Sequence, residues 1–321
     1  MQSIKFSIGI PAFKGKFFGE CLQSVILQSY HNFELIIVDD CSPDDLKSIV
    51  DKFGDPRIMY SKNNINTGAE NVVDNWNKCL EVASGDYFVL MGDDDRMELN
   101  YLEEFVSLIE KYQELDVFHC RSKIIDQEGK TLSLTQPWPE FENVYDNILY
   151  RISEKRTQYI SDFVYRLSTL KEKGGFYKLP LAWGSDDISA YIACGKKGIA
   201  HTNKSVFNYR TNNLSITSSG NFLLKLEANK LYGDWIASLL KSDLVTNDLD
   251  SIIAKQELKT NLEYHLRRRN NNAMAKAINK SALKDCVTLI KVQRKFNLSF
   301  YDITIIILKV IKKKILNENC I

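Results

Sequence analysis

The chain has 321 residues, 44% hydrophobic and 26% charged, which is enough apolar material for a packed core and excludes a disordered chain. Lys plus Arg number 42 against 41 Asp plus Glu, so the basic excess of a dedicated nucleic-acid binder is missing and no nucleic-acid partner is expected. The seven Cys are dispersed with no C-x-x-C pair, which excludes a structural zinc module and fits free thiols in a reducing cytoplasm.

The opening MQSIKFSIGIPAF has no long apolar stretch and no small-residue cleavage site, so no secretory leader is expected. The run 4–10 predicts a strand ended by Pro11. Phe18, Cys21, Leu22, Val25 and Ile26 recur at helical spacing and predict a helix over 17–28. FELIIV at 33–38 predicts a buried strand halted by Asp39-Asp40, and 43–53 a helix with Ser42 at its N-cap. A strand at 57–61 and a helix at 68–82 follow. The strand at 87–91 stops at Gly92 and the triplet Asp93-Asp94-Asp95, before a helix at 99–112 and a strand at 117–121. Such alternation predicts parallel strands joined by crossover helices. All six Pro lie before residue 181, and Gly233 is the only Gly after Gly220, so the last hundred residues read as helices, over 221–240, 252–278 and 283–321. No run reaches the 18 apolar residues of a spanning helix.

Ligands of open α/β sheets bind beyond the carboxyl ends of the strands, where two of these strands carry acidic clusters. The turn at 11–15 holds a single glycine, so neither a dinucleotide fingerprint nor a phosphate loop is present. Three adjacent carboxylates repel one another, and a divalent cation relieves that repulsion. Their hard oxygens suit Mg²⁺ or Mn²⁺ clamping a diphosphate. The alternative is a solvated turn with Asp as a helix cap. Asp39-Asp40 offers acceptors to a ribose hydroxyl or a base N–H, or else forms an Asx turn with Ser42 and Pro43.

IKFSIGIPAF, then FELIIVDDCSPD, then NNINTGAENVVDNWNKCLEVASGDYFVLMGDDD resemble, in order and spacing, successive signatures of family 2 glycosyltransferases with the GT-A fold. GGFYKLPLAWGSDDISAYIACGKKG at 174–198 is similar to the family's acceptor-side signature, and YRTNNLSIT at 209–217 to the segment that closes over the sugar nucleotide. The resemblance implies an α/β GT-A domain over 1–220, a mixed, mostly parallel sheet flanked by helices, with a nucleotide-binding half at 1–120 and an acceptor half at 121–220. An α-helical extension would occupy 221–321.

It also implies roles. Pro11, Ala12 and Phe13 would lie beside the nucleotide, with Phe13 stacked on the base; the family's tyrosine and small polar residue are replaced here by Phe13-Lys14. Asp40 would accept from the base, Asn66 and Gly68 would form the loop beside it, and Asn77 is a recurrent helix asparagine. Trp76 stands where many members carry arginine and reads as a core anchor. Asp93 to Asp95 match the D-x-D element, with Asp95 the first choice for the metal and Asp93 the second, and Asp93 or Asp94 towards the ribose. Gly174-Gly175-Phe176 would turn beneath the donor sugar. Asp187 would be the general base, with Asp186 beside it; the alternative is that one of the pair only caps the following helix, read over 188–197. Arg210 would neutralise the leaving diphosphate as a lid over 211–220 closes, or else make a surface salt bridge.

The resemblance therefore implies an inverting, Mn²⁺- or Mg²⁺-dependent transfer from a nucleotide-sugar donor, with UDP as the common nucleotide, to a glycan or lipid-linked acceptor in bacterial surface polysaccharide synthesis. The open alternatives are a catalytically silent nucleotide-sugar binder and a nucleotidyltransferase. Residues 284–321 carry eight Lys/Arg against three acids beside the apolar run ITIIIL, which suits a helix on an anionic membrane surface, a contact between copies of the chain, or packing on the catalytic domain.

Overall fold

The computed structural model describes residues 3–211, 221–242 and 248–277, with residues 290–291, 293, 295–296, 298–304 and 307–308. The parallel part is built from β1 (Phe6–Ala12), α1 (Phe18–Ile26), β2 (Phe33–Asp39), α2 (Leu46–Asp51), β3 (Ile58–Lys62), α3 (Val72–Val82) and β4 (Tyr87–Leu90). There follow β5 (Arg96–Met97), α4 (Tyr101–Lys111), β6 (Val117–Ile125), β7 (Thr131–Leu134), β8 (Phe141–Glu142) and α5 (Val144–Ile152). After these come β9 (Phe163–Arg166), α6 (Leu167–Glu172), α7 (Ser185–Cys194), β10 (Ile199–Arg210), α8 (Phe222–Lys241) and α9 (Leu249–Ala277).

One sheet runs β3-β2-β1-β4-β9-β6-β10-β5, with β7 on β6 and β8 on β10. Strands β1 to β4 pair in parallel, as the alternation predicts. The sheet turns mixed at β9, which lies antiparallel between β4 and β6. Both faces are covered, which is why FELIIV shows no alternation. Its Ile36 and Val38 join the core under α3, α5 and α7, while Leu35 and Ile37 join the core under α1, α2 and α4. Trp76 is a core residue, edge-on to Phe176 at 5.7 Å, as read from the sequence.

Several boundaries differ from the sequence reading: β1 runs through Pro11 to Ala12, whose neighbours on β2 keep it in the sheet, and the strand read at 117–121 continues to Ile125. Ser42 does not cap α2: its hydroxyl donates to the Phe13 carbonyl at 2.6 Å, and Asp45 takes the cap by accepting from Ser48 N–H at 3.1 Å. The turn that redirects Ser42 has Cys41 at a φ of 53°. The helix after Asp187 is read at 188–197 but runs Ser185–Cys194, because Gly184 and Gly195 both take positive φ at its ends. In the C-terminal part, Ala228, Tyr232, Ile236, Leu240, Ala254 and Leu258 share the core of α3, α5 and α7. Most of 283–321 lies outside the described residues.

Candidate active site

The register sets Ala12 of β1 beside Asp39 of β2, and Met91 N–H bonds the Gly9 carbonyl, so three strand ends meet at one edge. Asp40 closes that edge by donating its backbone N–H to the Ala12 carbonyl at 2.8 Å. Its carboxylate accepts from the Thr67 hydroxyl at 2.6 Å and from Asn63 Nδ2 at 2.8 Å. Asn66 donates to the Asp40 carbonyl and accepts from the N–H of Gly68, whose φ is 75°. The carboxylate expected to meet a base is thus holding the loop at 63–68 in place. Pro11 and Ala12 are strand residues, Ala12 fully buried, and Phe13 presents an exposed ring beyond them.

The acidic turn is fixed largely by backbone amides. One oxygen of Asp93 accepts from Phe13 N–H at 2.8 Å and Lys14 N–H at 2.7 Å. Asp95 accepts from Arg210 N–H at 2.7 Å. A Cβ on Gly92 would lie 2.6 Å from the other Asp95 oxygen, so this turn requires glycine. Asp94 meets the Lys14 ammonium at 3.1 Å. Burial, then the charge of Asp94, pushes Asp93 up to about 6 and raises Asp95 well above the carboxylate range.

Arg210 is read either as a phosphate ligand or as a surface salt bridge. It is 1% exposed, and it does make an ion pair, with the half-exposed Glu20. Its guanidinium donates to the Asp94 carbonyl at 2.8 Å, the Gln127 carbonyl at 2.7 Å and Glu20 at 2.8 Å, over the Phe17 ring. A guanidinium so engaged supports the acidic turn from behind instead of facing a diphosphate. The segment at 212–220 that would carry a lid lies outside the described residues.

Asn77 is likewise a support. Its amide accepts from Phe176 N–H at 2.8 Å and donates to the Phe176 carbonyl at 3.2 Å, clamping the turn at 174–176 instead of touching a nucleotide. Gly175, at a φ of 81°, has no room for a Cβ, which would come 2.5 Å from Asn77 Oδ1.

The second acidic pair opens α7. Asp187 is fully buried. Its Oδ1 accepts from Arg151 Nε at 2.9 Å and Gln158 Nε2 at 2.8 Å, and its Oδ2 from Tyr232 at 3.3 Å with Arg269 at 3.9 Å. Asp186 is half-buried. Burial and the charge of Asp187 push Asp186 up to about 7 against the pull of Arg151 and Arg269. The pair therefore holds a carboxylate raised towards neutral pH, the property a general base needs.

One short segment ties the two acidic groups together. Gln158 holds Asp187, and Ser161 Oγ accepts from Gly92 N–H at 3.3 Å. Between them Tyr159 stacks on Tyr209 at 3.7 Å, one residue before Arg210. Arg151, Gln158, Tyr159, Tyr232 and Arg269 were not found by sequence reasoning. They carry no spacing signal, since they reach the site from α5, the segment after it, α8 and α9.

A divalent cation held with substrate phosphates needs one or two protein carboxylates. Among the described residues no three His, Cys, Asp or Glu side chains form a closed cage. Asp94 and the second oxygen of Asp95 fit such a partial set, and the raised Asp93 and Asp95 mark the crowded negative charge a cation would relieve.

Comparison with known proteins agrees with this layout. The model of glycosyl transferase family 2 matches residues 7–169, just over half of the chain. The poly(ribitol-phosphate) beta-N-acetylglucosaminyltransferase TarS of Staphylococcus aureus (strain Mu50) is 22% identical over 259 residues, 78% of this chain and 43% of TarS. Glycosyltransferase GlyA of Streptococcus pneumoniae serotype 4 is 26% identical over 220 residues, 64% of this chain and 30% of GlyA. The chain spans between 30% and 43% of the length of the curated relatives it matches. The crystal structure of S. aureus TarS 1–349 with UDP-GlcNAc superposes with a TM-score of 0.64 at 18% identity, covering 93% of this chain and 90% of that one. A mannosyltransferase from Pyrobaculum calidifontis, in complex with GDP-Man and Mn²⁺, superposes with a TM-score of 0.52 at 14% identity, covering 97% and 87%. The chain belongs to glycosyl transferase family 2 and has the GT-A fold.

Proposed function

We propose that this family 2 glycosyltransferase moves a sugar from a UDP-sugar to a hydroxyl of a glycan or lipid-linked acceptor, with inversion at the anomeric carbon. The observation that carries the proposal is the acidic pair Asp186-Asp187 opening α7: burial and the charge of Asp187 raise Asp186, and Asp187 is held by Gln158 of the same segment whose Ser161 meets the amide-braced acidic turn at a strand end. Phe13 offers its exposed ring to the base, and the loop braced by Asp40 and Asn66 encloses the nucleotide. The resemblance assigns the proton acceptor to Asp187. Its engagement by Arg151 and Gln158 favours Asp186 instead, one residue earlier, with Asp187 positioning it. Asp186 takes the acceptor proton as the oxygen attacks the anomeric carbon opposite the departing UDP.

Asp94 and Asp95 would hold Mn²⁺ or Mg²⁺, which supplies Lewis-acid stabilisation of the leaving diphosphate when bound. The UDP preference is supported by TarS, crystallised with UDP-GlcNAc at the same fold. A polysaccharide setting is supported by the polymer acceptor in the name of TarS. We assign 1–220 to catalysis and place the extension on the cytoplasmic side, its basic tail against anionic lipid or a second copy. Among the described residues no helix is long and apolar enough to cross a membrane.

Calorimetry with UDP-GlcNAc in Mn²⁺ and in EDTA, and an assay for UDP release to water, test the proposal together. Metal-dependent binding and slow UDP release are expected. Absence of binding by UDP-, GDP- and dTDP-sugars alike would remove the donor site.

A further inference from the structure

The acidic turn already holds a cation of its own. Lys14 Nζ lies 3.1 Å from Asp94 Oδ2, on the loop that follows β1. The loop's position is not incidental: the Phe13 and Lys14 amides are both gripped by Asp93. The side chain is not locked. It is 34% exposed, and a lysine stem of four carbons can swing into solvent without moving the backbone. By contrast, the Arg210 cation behind the same turn is buried and engaged by four groups, so it stays.

We infer that Lys14 is a built-in counter-charge that keeps Asp94 from a divalent cation until the donor arrives. This rests on the metal-dependent donor site proposed above and adds an order to it. A free divalent ion must evict the ammonium from Asp94, because two cations at that range repel strongly. A nucleoside diphosphate changes the balance. Its phosphates bring negative charge for the metal and a new partner for the displaced ammonium. Metal and UDP therefore tighten each other's binding, by the same factor in both directions.

The test is a Mn²⁺ titration followed by the electron paramagnetic resonance signal of free aqueous Mn²⁺, with and without UDP. For the unaltered chain, UDP should tighten Mn²⁺ at least about tenfold. In Lys14→Met, Mn²⁺ affinity without UDP should rise about tenfold while the UDP effect shrinks. Lys14→Arg keeps the charge and should behave like the unaltered chain. If Lys14→Met matches the unaltered chain while UDP still recruits Mn²⁺, this inference fails and the metal-dependent donor site stands. If none of the three proteins binds Mn²⁺ even with UDP, both fall.

Discussion

The donor edge and the base side of this molecule are built in opposite ways. At the donor edge the functional groups are neighbours in the chain: Phe13 beside Lys14, Asp39 beside Asp40, and Asp93 beside Asp94 and Asp95. Backbone amides at strand ends fix most of them, so the sheet itself sets the geometry. The base side is assembled from a distance. Asp187 is held by α5, by the segment after it, by α8 and by α9. Donor binding should therefore survive changes in the C-terminal helices, and proton transfer should not.

The largest expected effect breaks the comparison at the base. Asp186→Asn should lower turnover by about 10³-fold while UDP affinity stays within a factor of two, since proton transfer is removed and the donor edge untouched. Asp187→Asn should also cut turnover, and with it stability by about 3 kcal/mol, because Arg151 loses its buried partner. Steady-state rates, UDP calorimetry and thermal melts on both variants decide between them. If Asp187→Asn abolishes turnover with an unchanged melt while Asp186→Asn retains activity, the base is Asp187.

A smaller change loosens the opposite edge. Asp93→Ala frees the Phe13 and Lys14 amides from their shared acceptor. UDP affinity should fall about tenfold, the loss of a charge-assisted hydrogen-bond pair, with turnover at saturating donor nearly unchanged. Calorimetry reading equal UDP affinity would mean that this loop does not meet the nucleotide.

The same contrast explains what could be read in advance. FELIIV, YFVLM and the acidic groups that stop them are local signals, so β1 to β4 and their helices were legible, as was the triplet's place at a strand end. The mixed half was less so. A four-residue strand such as β9, inserted between β4 and β6, has no pattern separate from its surroundings. Residue types at the site were legible and their partners were not. Arg210 is an exposed phosphate ligand or a buried brace depending only on whether Glu20, Asp94 and Gln127 close around it, and nothing in YRTNNLSIT records that. Arg269 lies in a charged run, Arg267-Arg268-Arg269, and only the helix phase turns it towards Trp183 and Tyr232.

Arg269 also gives the smallest and sharpest test. Asp186 sits near 7 as a balance of burial and Asp187, which raise it, against Arg151 and Arg269, which lower it. The ionised form accepts the proton, so the rate should rise with pH and level off above about 7, losing tenfold per unit on the acid side. Arg269→Met removes one lowering charge and should move that acid limb upward by about half to one pH unit. Arg269→Lys keeps the charge and should leave the limb near its original place, although both variants lose guanidinium contacts with Asn229. UDP affinity should be unchanged in both. A limb that moves equally in the two variants would mean that Arg269 acts by packing alone, and that the C-terminal helices support the base without tuning it.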